Sequence, residues 1–504
     1  MHVHLWFDLN KTITEDILAA FNRRKLCKLA LGSSSTMLLP FSMNLTAQGG
    51  RDPHFFLVYF TGYGTDGTYL FDARPLEMAK AGYKENYFSD ERAQTTRIKS
   101  AKGPGETLVT EVARKLQNKH QFAIVNGVHM NHRSLAHDEN ALYLLEGTTS
   151  KALRGFSMLP VIGGLSGASP IEAFHMGPYA PDSFRGAARN YINSIRVQLG
   201  VASKIGQDLS KGISFEQRGL AQSYLDRSLG RLRNDTNLFG QGVSMYSSGV
   251  DRLSSMEAIL KNTSVASGPA NDASLVNPIT SDLNAMIQYM KNGLTSAGMI
   301  MQADGILDTH GVSLAEGTDR FIPEIGDRID EIMTTLANTP YDNNRSMLDM
   351  TTVLFTSEFS RTLVSDTIAD GGQAVTTGQV GTDHNPYTNT FVLAGKGINQ
   401  SVILGASDLD WDAEAQKPKE VSQAHREMDG LINKAMGKPF DFQNFSVRGD
   451  LPEKYDRQDY ITSSNVINTI YDLFGVSTDS WRKDGLDKPR EVLKPLLSKY
   501  NSEV

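Results

Sequence analysis

His54 to Phe60 reads HFFLVYF, seven consecutive aromatic, aliphatic or imidazole side chains with no Asp, Glu, Lys or Arg. A strand that is apolar on both faces has to lie inside a sheet covered on both sides, and such sheets are mainly parallel and flanked by helices. Gly62-Tyr63-Gly64-Thr65-Asp66-Gly67 follows at once. Its glycines let the chain turn sharply at the strand's carboxyl end. Further apolar runs at 121–128 (QFAIVNGV), 352–356 (TVLFT) and 390–394 (TFVLA) read as strands of the same kind.

Helical patterns separate these strands. Ile322, Ile325, Ile329, Ile332, Met333 and Leu336 share one face of a helix expected over 318–336. A second helix starts near His137, carries Ala141, Leu142, Leu144 and Leu145, and stops at Gly147. A third lies around 466–474. Strands alternating with helices define an α/β fold, with a central sheet and helices on both faces. The chain of 504 residues is 40% hydrophobic, enough for a sizeable core. Residues 150–180, rich in Gly, Ser and Pro, read as loop, and 183–300 as mostly helical. Together 150–300 form an inserted helical region within a domain spanning 48–504, and that region is the surface offered to a protein partner.

The N-terminus has a different character. Asn22-Arg23-Arg24-Lys25-Leu26-Cys27-Lys28 precedes a short apolar stretch ending in Met37-Leu38-Leu39-Pro40-Phe41. A basic pair before a weakly apolar run reads as a twin-arginine export signal over 1–47, with cleavage after Ala47 and delivery to the periplasm or beyond. The other reading is an amphipathic N-terminal helix. The apolar run is too short to span a bilayer, and no span is expected in the mature chain. Residues 1–47 carry a net +2 of the chain's −7, which leaves −9 on the rest. That acidic body excludes sequence-independent nucleic-acid binding. Cys27 is the sole cysteine, so the body holds no disulfide, thiolate metal site or thiol nucleophile.

Acidic and imidazole side chains recur just after the strands or before the helices. Asp66 follows the first strand, and His137 opens a helix. Asp308-Thr309-His310 precedes the 318–336 helix. Ser357-Glu358-Phe359-Ser360-Arg361 follows the strand at 352–356, and Asp383-His384 precedes the one at 390–394. In open α/β sheets the carboxyl ends of strands are where ligands bind. Asp66, Asp308, Glu358 and Asp383 could not converge there as bare anions, because each would raise its neighbours' pKa. One or two divalent cations, with His310 and His384 as further ligands, would remove that cost. Zinc, manganese, iron and calcium all suit such a donor set. Gly62, Gly64 and Gly67 also spell a dinucleotide fingerprint. That motif needs a helix opening at the third glycine, and Pro75 would cut it short.

These segments resemble domain-of-unknown-function family 1501, a branch of the alkaline phosphatase and sulfatase-like superfamily. The motifs that carry the resemblance are Gly64-Thr65-Asp66-Gly67, Asp308-Thr309-His310-Gly311, Ser357-Glu358-Phe359-Ser360-Arg361-Thr362 and Asp383-His384-Asn385. The resemblance covers about 52–148 and 298–476. It implies an alkaline-phosphatase-like sandwich and a metal-dependent hydrolase of small phosphate or sulfate esters. Asp66, Asp308, His310, Glu358, Asp383 and His384 would be the metal ligands, with His137 and Arg361 beside them. Two departures stand out. The family's Ser-His pair is Ala136-His137 here, and its Trp after Asp-His is Asn385. Ser134 could supply the missing hydroxyl, a metal-bound water could replace it, or the chain has kept the metal fold without hydrolysis.

Overall fold

The computed structural model describes residues 52–62, 64, 71, 74–75, 98–99, 106–108, 111–130, 136–146, 158–165, 173–176, 194–196, 279–293, 295–302, 314–361, 384–400, 402–408, 411–412, 417–418, 436–448, 456–476 and 491–501. Its centre is an eight-stranded sheet. In chain order the strands around the candidate site are β1 (Phe55–Thr61), β2 (Ala123–Val125), β3 (Ala173–Met176), β4 (Ser194–Arg196), β5 (Ala297–Gln302), β6 (Thr351–Ser357), β7 (Ser360–Arg361), β8 (His384–Asn385), β9 (Phe391–Gly395) and β10 (Ile403–Leu404). The order across the sheet is β10-β2-β9-β6-β1-β5-β3-β4, and β7 and β8 form a separate two-stranded ribbon.

The HFFLVYF run occupies the middle of this sheet, as its composition requires. All seven side chains of β1 and all seven of β6 are buried. β1 runs parallel to both β5 and β6, with Phe56 opposite Ala297 and Thr352, and Thr61 opposite Ser357. β9 is antiparallel to both its neighbours, β6 and β2. The fold is therefore α/β with a mostly parallel sheet.

Helices cover both faces, and α1 (Glu111–Lys119) leads into β2. One face carries α2 (His137–Glu146), α3 (Met158–Leu165) and α7 (Ser463–Leu473), whose Leu145, Ile162 and Ile470 join Phe56, Val58 and Phe60 in one core. Each large side chain so buried contributes roughly 1.5–3 kcal/mol. The other face carries α4 (Thr280–Lys291) and α5 (Leu314–Asn338). Ile325, Ile329, Ile332, Met333 and Leu336 are all buried, as the helical period over 318–336 demands. Among the described residues no helix is long and apolar enough to cross a membrane.

Two expectations need correction. Residues 150–180 do not read through as loop: α3 and β3 lie within them. Pro160 sits in the first turn of α3, where a missing N–H costs nothing, and the helix is held by burial rather than by an amphipathic face. Within 183–300, expected to be mostly helical, the described residues include β4 and most of β5 beside a helix over Thr280–Lys291. The described part of the insertion thus widens the central sheet as well as adding α4. Ala-Gly-Met-Ile-Met-Gln in β5 has no β-branched run. It becomes a strand because two neighbours, β1 and β3, pair with it. Gly298 there is required by close packing, as an added Cβ would lie 2.2 Å from Met286 Sδ on α4. Finally, the strand expected over 121–128 shortens to β2, and the chain then bends so that Met130 N donates to Pro386 O at 2.7 Å. Residues 1–47, with the export signal, lie outside those described.

Candidate metal and hydrolase site

The site begins where β1 and β6 end side by side. Thr61 and Ser357 are the last paired residues, and Gly62 N crosses to donate to Gln302 O at 2.8 Å. Beyond β6 the chain must leave the sheet in a defined direction, and buried polar groups set it. Asn389 Nδ2 donates to Ser357 O at 2.6 Å, Ser357 Oγ donates to Phe359 O at 2.7 Å, and Thr390 Oγ1 donates to Asn126 Oδ1 at 3.0 Å. Such a network is rigid because each member would be costly to leave unpaired. It delivers Glu358 and Phe359 to the face that carries α2.

There Glu358 meets His137. Glu358 Oε1 lies 2.6 Å from His137 Nδ1, with the carboxylate side chain 2% exposed and the imidazole 18%. An ionised carboxylate can only accept, so Nδ1 carries the hydrogen and Nε2 becomes the accepting nitrogen of the ring. Glu358 Oε2 is buried and has no hydrogen-bond partner. A carboxylate oxygen in that position is expensive unless a proton or a cation meets it.

The β7–β8 ribbon brings His384 to the same place. Arg361 pairs with His384, and Ser360 with Asn385. The His384 ring centroid lies 4.2 Å from that of His137 at 71°, and 4.6 Å from that of Phe359 at 32°. Phe359 also packs on His137, at 4.9 Å and 39°. Asn385, which stands where the resemblance has Trp, holds the turn after His384 by accepting from Tyr387 N at 3.2 Å. Arg361, 1% exposed, does not neutralise Glu358; its Nε donates to Gly64 O at 3.3 Å. Gly64 has φ +76°, and an added Cβ would lie 2.6 Å from the Phe359 ring. The glycine loop thus serves close approach to Phe359 and Arg361, which only a residue without Cβ allows.

Sequence reading therefore anticipated four residues that the structure gathers: His137, Glu358, Arg361 and His384. It missed Phe359, although the Ser-Glu-Phe-x-Arg-Thr string contains it, because an aromatic inside a motif carries no ligand chemistry of its own. Asp66, Ser134, Asp308, His310 and Asp383 lie outside the described residues. Ala136, exposed at the start of α2, offers no hydroxyl. Glu358 Oε2 and the imidazoles of His137 and His384 have the chemistry of divalent-metal ligands, and the unpaired oxygen fits a cation. Among the described residues, however, no group of three or more His, Cys, Asp or Glu side chains is arranged to hold a metal ion. A complete shell needs donors from elsewhere in the chain. The cavity against Tyr59, Ile325, Ile329 and Phe355 is no substitute, with a mainly apolar lining and about 30 Å³ of room, which is water-sized.

Residues 301–440 match the family described as "Protein of unknown function (DUF1501)", which agrees with the expected family over the Glu358 and His384 motifs. No curated protein sequence matches the chain. The fold is similar to that of the lipoteichoic acid synthase LtaP from Listeria monocytogenes, at 9% identity and a TM-score of 0.31, over 75% of this chain and 74% of that one. It is similar to the PsFucS1 sulfatase from Pseudoalteromonas sp., at 12% identity and a TM-score of 0.27, over 86% and 79%. A 2-O GAG sulfatase gives 10% identity and a TM-score of 0.28, over 88% and 79%.

Proposed function

We propose that this protein is an exported, metal-dependent hydrolase of phosphate or sulfate esters, built on the match of residues 301–440 to the DUF1501 family. The observation that carries the proposal is the buried Glu358 carboxylate, with one oxygen on His137 and the other without a partner. The ligand set would be Asp66, Asp308, His310, Glu358, Asp383 and His384, holding one or two ions of zinc, manganese, iron or calcium. When bound, such ions polarise an ester and stabilise charge on its leaving oxygen.

The roles of this chain's residues follow from their chemistry. Glu358 fixes the ring orientation and tautomer of His137, as carboxylates do for imidazoles beside metals. His137 Nε2 then takes a proton from the attacking group. Arg361, tied to the glycine loop, keeps a buried positive charge near the place where ester oxygens would bind. The nucleophile would be Ser134 or a water molecule. Elemental analysis of purified full-length protein, followed by turnover of an aryl phosphate and an aryl sulfate, tests the reading. Metal-dependent turnover that His310→Ala abolishes is the expected result. Failure of the metal-loaded protein on both esters, with His310→Ala altering stability alone, rejects it.

Ala136 favours a second reading, in which the chain keeps the metal fold without hydrolysis and serves an exported structural or partner-binding role through 150–300. A stable hetero-complex on purification, with no esterase activity, would support it. Export by the twin-arginine route is tested by fractionation: Arg23→Lys with Arg24→Lys should leave the protein in the cytoplasm.

A further inference from the structure

We infer that Phe359 is a positioning residue for the two imidazoles: its ring is the plate against which His137 and His384 are set. The proposal rests on the metal-site reading for its functional meaning, but its geometry is independent of it. Phe359 is fully buried, at 0% exposure. Its ring stacks obliquely on both imidazoles, 4.9 Å from His137 and 4.6 Å from His384, while the two imidazoles meet edge-on at 4.2 Å. A further contact is with the glycine loop, where a Cβ at Gly64 would come within 2.6 Å of the Phe359 ring. One aromatic side chain thus touches three separate segments of the site.

Phe359 suits this task better than an aliphatic side chain would. His137 has one ring nitrogen committed to Glu358, which sets its tautomer and one direction of its ring. His384 sits on a two-residue strand whose backbone pairing does not set χ2. A flat ring against both favours one plane for each, because off-plane rotation loses the aromatic contact. Pre-setting the His384 ligand ring and the His137 base in this way lowers the ordering cost of binding. The apolar ring also gives neither imidazole a competing hydrogen bond.

The test uses full-length protein labelled with 15N-histidine, at one fixed pH and without added metal, and then competitive titration with zinc. In the wild type a cross-relaxation signal between the His137 and His384 rings is expected. Phe359→Leu should erase that signal and weaken zinc binding about tenfold or more, with the far-ultraviolet circular dichroism unchanged. Phe355→Leu, on β6 with its side chain on the opposite sheet face, removes a buried ring of the same size and should leave the imidazole signals in place. Should Phe359→Leu fail to fold, Gly64→Ala places a methyl group against the same ring and should erase the same signal. Persistence of the ring–ring signal in Phe359→Leu or in Gly64→Ala, or its equal loss in Phe355→Leu, overturns the proposal. Zinc that binds no protein at all would count against the metal-site reading, and the metal-free signal would still decide the role of Phe359.

Discussion

His137 and Glu358 stand 221 positions apart in the chain and meet through a 2.6 Å contact between imidazole Nδ1 and a carboxylate oxygen. The contact joins the first residue of α2 to the first residue beyond β6. It binds a helix on one sheet face to the exit of a central strand, and it leaves the second carboxylate oxygen buried and unpaired. A pair built for stability alone would satisfy both oxygens.

Glu358→Gln keeps an acceptor for His137 and removes the charge. A half-satisfied buried charge is costly in the absence of its ligand. The metal-free variant should therefore be at least as stable as the wild type, by about 1 kcal/mol, in urea unfolding. Its zinc affinity should fall about 10- to 100-fold in competition with a chelator. A variant that is less stable and binds zinc normally would assign Glu358 a purely structural part.

His54 makes stability depend on pH. Thr352 Oγ1 donates to Lys396 O and so accepts from His54 Nε2, while the imidazole stacks on Phe474 with ring centroids 4.2 Å apart. Burial first, and then the charge on Lys396, push its pKa down from 6.5 to about 4, against the pull of the Lys396 backbone. The folded-state pKa lies below the unfolded one, so the unfolded chain takes up the proton first on acidification. Stability from this group is complete above about 6.5, declines as pH falls from there towards 4, and levels off below. The full loss is no more than about 3 kcal/mol, and partial exposure of His54 reduces it. Urea unfolding at a series of pH values should show this decline in the wild type and its removal in His54→Phe.

Gly298 and Met286 should behave as one packing unit. The Cβ of Gly298→Ala would meet Met286 Sδ at 2.2 Å, so the single variant should lose about 1–3 kcal/mol by overpacking. Met286→Ala alone leaves a cavity and should cost about 2–5 kcal/mol. The double variant should be less destabilised than the sum of the two, because each change relieves the other. Strict additivity would show that α4 shifts as a body to admit the methyl group.

The entry into β6 should be weakened by Ser346→Ala. Asp349 N donates to Ser346 Oγ at 3.3 Å, and Ser346 N donates back to Asp349 Oδ2 at 2.8 Å, a reciprocal cap on α6 (Met347–Met350). Its loss should cost about 1 kcal/mol, measured by thermal unfolding, with zinc binding unaltered because the cap lies at the opposite end of β6 from Glu358.

Much of this was legible in the residues. Composition alone requires β1 to be buried, since no polar face exists to turn towards water. The period of three and four over Ile325, Ile329, Ile332 and Leu336 selects the face of α5 that packs. Glu358 after β6 was recognisable as a candidate ligand, and Arg361 as a candidate catalytic residue, because charged side chains just beyond an apolar strand lie where ligands bind in such sheets. β3, β4 and β5 were not legible in the same way. Ala-Gly-Met-Ile-Met-Gln has no strand signature, and only the neighbouring strands make extended backbone favourable there.

The amino-acid sequence by itself determined that a doubly covered sheet forms, which strands lie at its centre, and that Glu358 follows the carboxyl end of one of them. Those outcomes depend on side-chain polarity and local period, which are properties of short segments. Tertiary structure alone decided that Glu358 faces His137 and not Arg361, that Phe359 lies between two imidazoles, and that Gly64 must have no side chain. Each of these depends on distances between segments tens to hundreds of residues apart, and no local preference encodes them.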